Sequence, residues 1–217
     1  MSSADPPPQD GRALRRLIEE RLAPSRPPLD PSIAWPAGLS GSNAAELRQY
    51  FPASPTAAAV LVPIVDHADG LTVLLTQRSP NLRTHAGQIS FPGGRIESGD
   101  GGPLQAALRE TEEEIGLTAE YVEVVGYLEA HLVLTGYWIT PVVGFVRPGF
   151  ALRLDVREVE AVFEVPLLHI LDPGNHRARE RRIGAASVQV YDIPFEGRNI
   201  WGATAGMLVA LQRLLLG

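Results

Sequence analysis

The residues best suited to chemistry lie together: Arg109, Glu110, Glu113 and Glu114, in the run Arg-Glu-Thr-Glu-Glu-Glu-Ile-Gly from 109 to 116. Leu104, Ala107, Leu108, Thr111 and Ile115 recur around them at helical spacing and predict an amphipathic helix. Pro103 suits its first turn and Gly116 the position just past its end. Neighbours three and four apart share a helix face, which gathers Arg109 and the three glutamates opposite the apolar stripe. Such a face is electrostatically adverse. Like charges four apart destabilise a helix by roughly 0.2–0.5 kcal/mol per pair. The macrodipole disfavours anions in the last turn by about 0.3–1 kcal/mol more. Arg109 can pair with Glu113 but cannot neutralise the rest. A hard divalent cation, taking carboxylate oxygens at about 2.0–2.1 Å, would relieve the conflict. A solvated acidic helix end is the plain alternative, and the charges alone leave it open.

A second group lies directly upstream, between Leu74 and Gly94. A predicted strand ends in Arg78, Arg83 follows five positions later, and Gly87, Gly93 and Gly94 punctuate the path into the acidic segment. Guanidinium forks match phosphate oxygens two at a time. Glycine lets backbone N–H groups come close to an anion. Phe91-Pro92-Gly93-Gly94 reads as a tight turn. From spacing alone, two surface arginines and a turn would look the same.

Arg109-Glu110-x-x-Glu113-Glu114-x-Gly116-Leu117 resembles the second half of the Nudix hydrolase box. The usual box has a glycine, five residues, a glutamate, seven residues and then arginine-glutamate. In this chain Gly94 is followed after five residues by Asp100, and eight residues separate Asp100 from Arg109. Glu97 is the other acid available at that point, and neither is assigned a role. Upstream, Leu74-Leu75-Thr76-x-Arg78-Ser79, three residues, Arg83, three residues, Gly87, three residues and Phe91-Pro92-Gly93-Gly94 resemble the extra signature of the coenzyme A pyrophosphatase branch. In that branch the box also tends toward the longer spacer and an Asp. Looser matches follow at Thr135-Gly136-Tyr137, at Phe163-Glu164-Val165-Pro166-Leu167 and at Trp201 to Gly206. The resemblance runs from about Ala57 to Leu215.

That resemblance implies an α/β (α+β) fold, a Nudix-type α/β/α sandwich with a mixed β-sheet between helices. It implies hydrolysis of the pyrophosphate in coenzyme A or a derivative, giving 3′,5′-ADP and 4′-phosphopantetheine, with Mg²⁺ or Mn²⁺ as cofactor. By position in the box, Glu110 and Glu114 are the implied metal ligands, Glu113 a third ligand or its support, and Arg109 the group that orients them. Arg78 and Arg83, with Gly93 and Gly94, are the candidate substrate contacts, the 3′-phosphate being one group they could meet. The general base could be a glutamate of the box or one from a later loop, where Glu158 in Arg157-Glu158-Val159-Glu160 is the candidate. Two other readings stay open. One is a Nudix hydrolase for ADP-ribose, NADH, another dinucleotide or an oxidised nucleoside triphosphate. The other is a nucleotide-binding module without catalysis, which intact Arg109, Glu110, Glu113 and Glu114 argue against.

The elements that must hold these residues follow from periodicity. Residues 1–10 are Pro-rich and expected to be disordered. Gly11 to Leu22 predicts an amphipathic helix, opening a lead-in over 11–56 with Trp35, Leu39, Tyr50 and Phe51 as anchors and a short helix near Asn43–Gln49. The main domain is expected over 57–217. Strands are expected at Ala57–Val65 and Leu71–Thr76, joined as a hairpin, then at Tyr121–Leu128, Tyr137–Val146, Val162–Pro166 and Ala186–Ile193. Leu167–Ile170 reads as a short helix, His176–Arg182 as a basic turn, and Gly202–Leu215 as a closing helix whose leucines pack inward or form a dimer seam. His85 could touch a phosphate or order its loop. His67, His131, His169 and His176 have no partner at ligand spacing, and Tyr137 and Trp138 suit a strand core as well as an adenine stack.

Composition narrows the chemistry. The 217 residues suffice for an α/β domain with a full core. There is no cysteine, which excludes disulfides, thiolate nucleophiles and thiolate metal sites. All 19 basic residues are arginine, which excludes P-loop lysine and Schiff-base chemistry. The net charge of −6 argues against a general nucleic-acid surface and leaves local arginines and metal to attract any phosphate. No stretch approaches a membrane span, and the first ten residues lack a secretory pattern, so a cytoplasmic protein is expected.

Overall fold

The computed structural model describes residues 7–27, 49–184 and 186–217. Helix α1 spans Gly11–Leu22, as the apolar spacing predicts, and the Asp10 side chain caps it by accepting from the N–H groups of Arg12 and Ala13. Leu14, Ile18 and Leu22 are buried, so the helix is part of the main core. Arg15 pins it by reaching Asp66 (2.8 Å) and Glu123 (2.5 Å). Trp35, Leu39 and the short helix expected near Asn43 lie outside the described residues, as do residues 1–6 of the expected disordered tail.

Strands β1 (Thr56–His67) and β2 (Gly70–Arg78) form the expected hairpin. They are followed by β3 (Ile89–Ser90), β4 (Gly93–Arg95), β5 (Val122–Tyr127), β6 (His131–Leu132), β7 (Tyr137–Val146) and β8 (Val159–Pro166), which complete an eight-stranded mixed sheet. β1 runs parallel to β7 over Thr56–Val65 and antiparallel to β2 and β4. Its apolar run lacks alternation because both faces are covered. Val60, Val62 and Ile64 join the core under α1, α3 (Leu167–Leu171) and α4 (Gly202–Leu216). Ala59, Leu61 and Val65 face the core under α2 (Pro103–Ile115). The architecture is therefore a mixed sheet between helical layers, as expected.

Two local expectations are corrected. Phe91–Gly94 is not an isolated turn: Gly93 and Gly94 open β4, which pairs with Val60 and Ala59 of β1. His176–Arg182 is not a basic turn but most of β9 (Arg177–Ile183), the edge of a second, antiparallel sheet with β10 (Ala186–Phe195) and β11 (Arg198–Trp201). The charged run lacks a strand's apolar alternation because the strand is exposed along most of its length. Charge at an edge also opposes pairing with another chain. Trp138 is core, 3% exposed, and Leu208, Leu211 and Leu215 of α4 pack inward. Among the described residues no helix is long and apolar enough to cross a membrane.

Candidate active site

The site is built where β4 brings two glycines against α2. Gly93 has φ 148°, and a Cβ there would lie 2.4 Å from the Ala59 carbonyl oxygen, so a side chain would prise β4 off β1. This close approach aims the Gly93 N–H at Glu114 Oε2, 3.2 Å away. A Cβ on Gly94 would lie 2.4 Å from the Glu110 carboxyl group. The two glycines thus create the space that the box glutamates occupy.

Helix α2 turns these residues differently from the simple two-face picture. Ala107, Thr111 and Ile115 of the expected stripe are buried and Leu104 and Leu108 half-buried, but Ala106 and Glu114 are buried with them, Glu114 only 5% exposed. Glu113, its neighbour, is largely in solvent. Arg109 is saturated. Its Nε and Nη2 donate to the two oxygens of Asp100 (both 3.0 Å), its Nη1 to Glu110 and Glu113 (both 3.0 Å), and its Nη2 also to the Arg95 carbonyl (3.2 Å). Asp100 in turn accepts from the Glu97 N–H (2.8 Å). The longer spacer therefore forms a loop that clamps Arg109, and the Arg109 guanidinium holds Asp100 below the usual carboxylate range.

Past the helix, Gly116 adopts the left-handed conformation at φ 73°. A Cβ there would meet the Arg153 backbone nitrogen at 2.9 Å, because residues 153–158 cross the helix end as a strap. The Arg153 N–H donates to the Ile115 carbonyl and the Asp155 N–H to the Glu114 carbonyl, both at 2.9 Å, filling two acceptors that a helix terminus leaves open. At the far end of the strap, the Glu158 carbonyl accepts from the Ser79 N–H (2.8 Å). Expected site residues from two parts of the chain thus meet. Glu110, Glu113, Glu114 and Glu158 line one open cleft of about 490 Å³, completed by Arg153, Leu154, Asp155 and Arg157. Sequence reasoning missed these four. Their alternation of apolar and charged residues is that of any surface strand, and only the helix end they cross reveals them.

Arg78 stands beside the cleft with its Nη1 3.8 Å from Glu114 Oε1, and its buried Nε has no hydrogen-bond partner among the described residues. Arg83 sits on the exposed loop between β2 and β3, outside the cleft lining. His85, at φ 58°, bonds Gln88 within that loop (2.9 Å). His67 bonds Glu164 (2.6 Å), and His169 and His176 bond backbone carbonyls, all structural contacts. Burial pushes His131 down to about 4, so its ring is neutral.

The electrostatics match an unneutralised anion cluster. Burial pushes the Glu114 carboxyl up to about 7; the Gly93 N–H and Arg78 oppose the rise, and Glu158 and Glu110 reinforce it. Burial also raises Glu110, against the pull of Arg109. Among the described residues no three acidic or histidine groups converge to chelate an ion as they stand, since Arg109 draws Glu110 and Glu113 to itself. The donor set nevertheless consists of oxygens alone, which suits a hard divalent cation.

The mixed sheet between helices is the fold that the sequence resemblance implies, and its glycine-backed helix α2 turns Glu110, Glu113 and Glu114 to an open cleft. The NUDIX domain model matches residues 55–192, and the chain belongs to the Nudix family. A relative from Escherichia coli strain K12, described as uncharacterized Nudix hydrolase NudL, is 44% identical over 158 residues, covering 71% of this chain and 81% of its own length. Its Shigella flexneri counterpart is 43% identical over 164 residues, covering 74% and 84%. Among solved structures, the Nudix hydrolase RenU from M. smegmatis aligns at 25% identity over 55% of this chain and 75% of its own, with a TM-score of 0.46. A MutT/nudix family protein from Enterococcus faecalis aligns at 19% identity over 79% and 68%, with a TM-score of 0.47.

Proposed function

We propose that this Nudix hydrolase cleaves the pyrophosphate bond of coenzyme A or a derivative, giving 3′,5′-ADP and 4′-phosphopantetheine. The observation that carries the reading is the way the Leu74–Gly94 signature folds onto the box: Arg78 and Gly93 both meet Glu114, and Gly94 makes room for Glu110. The signature and the box therefore act as one site.

Glu110, Glu114 and Glu113 would hold Mg²⁺ or Mn²⁺, an assignment supported by the all-oxygen donor set and by burial that raises the Glu110 and Glu114 carboxyls despite the guanidinium beside each. Such an ion, when bound, neutralises pyrophosphate oxygens and lowers the barrier to attack by water. Arg109 fixes Glu110 and Glu113 by paired hydrogen bonds, itself held by Asp100. Arg78 is the phosphate contact that the geometry supports, its unpartnered Nε a donor ready for an anionic oxygen, whereas Arg83 lies outside the cleft lining. Glu158, across the cleft from α2, is the general base that takes the proton of the attacking water, while the departing phosphate takes up the bridging oxygen.

Product chromatography tests this with coenzyme A, dephospho-coenzyme A, ADP-ribose and NADH, each with Mg²⁺, with Mn²⁺ and with chelator. The expected result is metal-dependent 3′,5′-ADP from coenzyme A above all other products. Faster turnover of ADP-ribose or NADH would reject the coenzyme A substrate and leave the pyrophosphatase chemistry.

A further inference from the structure

We propose that Arg153 binds the 3′-phosphate of the substrate and so separates coenzyme A from its dephospho form. This rests on the coenzyme A reading above. The cleft is strongly acidic, with Glu110, Glu113, Glu114, Asp155 and Glu158 around it. The other arginines in or beside the cleft have roles already. Arg109 donates to Asp100, Glu110 and Glu113, Arg157 is chelated by Asp155, and Arg78 faces Glu114 with its Nε left for the pyrophosphate. Arg153 lines the same cleft, its side chain is exposed, and its guanidinium has no hydrogen-bond or ion-pair partner among the described residues.

Its backbone, by contrast, is fixed. The Arg153 N–H is held by the Ile115 carbonyl, the neighbouring Leu154 packs into the core under α2, and Gly116 leaves the space for the crossing. A free guanidinium carried by a fixed backbone offers a planar two-donor fork to one phosphate monoester. Arg153 also lies at the opposite end of the strap from the Ser79–Glu158 contact beside which Arg78 sits. A second phosphate, remote from the scissile pyrophosphate, would suit that end. Coenzyme A carries one such group: the pantetheine arm is uncharged, and the 3′-phosphate is the only other anion. Arg83, on the exposed loop, does not line the cleft.

The test is equilibrium binding of 3′,5′-ADP and of AMP, in Mg²⁺, to the wild type and to the Arg153→Ala and Arg153→Lys variants, with kcat/KM for coenzyme A and dephospho-coenzyme A alongside. The wild type is expected to prefer 3′,5′-ADP by about tenfold or more, the scale of a bidentate charged contact. Arg153→Ala should bring that ratio to within about twofold, and Arg153→Lys, which keeps the charge but not the fork, should fall between. KM for coenzyme A should rise in Arg153→Ala with kcat held, and dephospho-coenzyme A should be unaffected. A wild type without preference for 3′,5′-ADP, or an Arg153→Ala variant that keeps it, overturns the assignment. Failure of the substrate reading looks different: coenzyme A would be turned over poorly while the binding ratio still depended on Arg153.

Discussion

Glu114→Gln should make the metal-free protein more stable at neutral pH while abolishing most turnover. The carboxyl is 5% exposed and burial lifts it from an ordinary 4.5 to about 7. Below pH 4.5 the folded and unfolded chains both carry the proton. Between 4.5 and about 7 the unfolded chain releases it and the buried group does not, so stability falls as pH rises; above about 7 the loss is complete. At about 1.4 kcal/mol per pH unit, this interval corresponds to about 3 kcal/mol. Gln keeps an oxygen for the Gly93 N–H and carries no charge, so the slope should vanish. Denaturant unfolding in chelator at pH 5, 6, 7 and 8 gives the difference between the two proteins and cancels every other titrating group. A difference under about 1 kcal/mol at pH 5, growing to about 3 kcal/mol at pH 8, is expected. Mg²⁺ at about a hundredfold over its Kd should return about 2.7 kcal/mol to the wild type and little to the variant. Parallel stability curves across the pH range would refute the burial argument, and near-normal turnover by the variant would refute the ligand assignment.

Gly94→Ala should leave the fold intact, because its new methyl meets the side-chain end of Glu110 and not backbone, yet lower kcat by about 10²-fold through displacement of that carboxylate; unchanged kcat would show that Glu110 has room to spare. Gly93→Ala meets backbone instead, at 2.4 Å from the Ala59 oxygen and at a left-handed φ, and should cost about 2 kcal/mol or more of stability by chemical denaturation. Glu158→Gln should reduce kcat by about 10²–10⁴-fold with little change in KM if it is the base; a change under about threefold would return that role to the box. Ile18→Ala, at a fully buried position of α1, should cost about 2–5 kcal/mol in the same unfolding assay. A smaller effect would mean that the N-terminal helix is dispensable to the domain.

Local periodicity determined much of this protein. The bounds of α1 and β7, the β1–β2 hairpin and the helix from Pro103 to a left-handed Gly116 depend on short-range rules of burial and backbone geometry, and these can be read from neighbouring residues. The fixed offsets of Arg109, Glu110, Glu113 and Glu114 likewise named the acidic segment. Tertiary structure decided what those residues meet. Helical spacing already puts Glu114, three positions after Thr111, beside the apolar stripe and Glu113 away from it; what the buried carboxylate meets, the Gly93 N–H, is decided only by β4 packing on β1. Asp100 and Arg109 are nine positions apart, and only the loop between them makes the pair. β9 escaped recognition because its pairing is made by backbone groups while its side chains carry the charge of an exposed edge. The strap from Arg153 to Glu158 reaches the cleft because open carbonyls at the end of α2 need donors from elsewhere in the chain, and a linear pattern holds no record of where a helix end will find them.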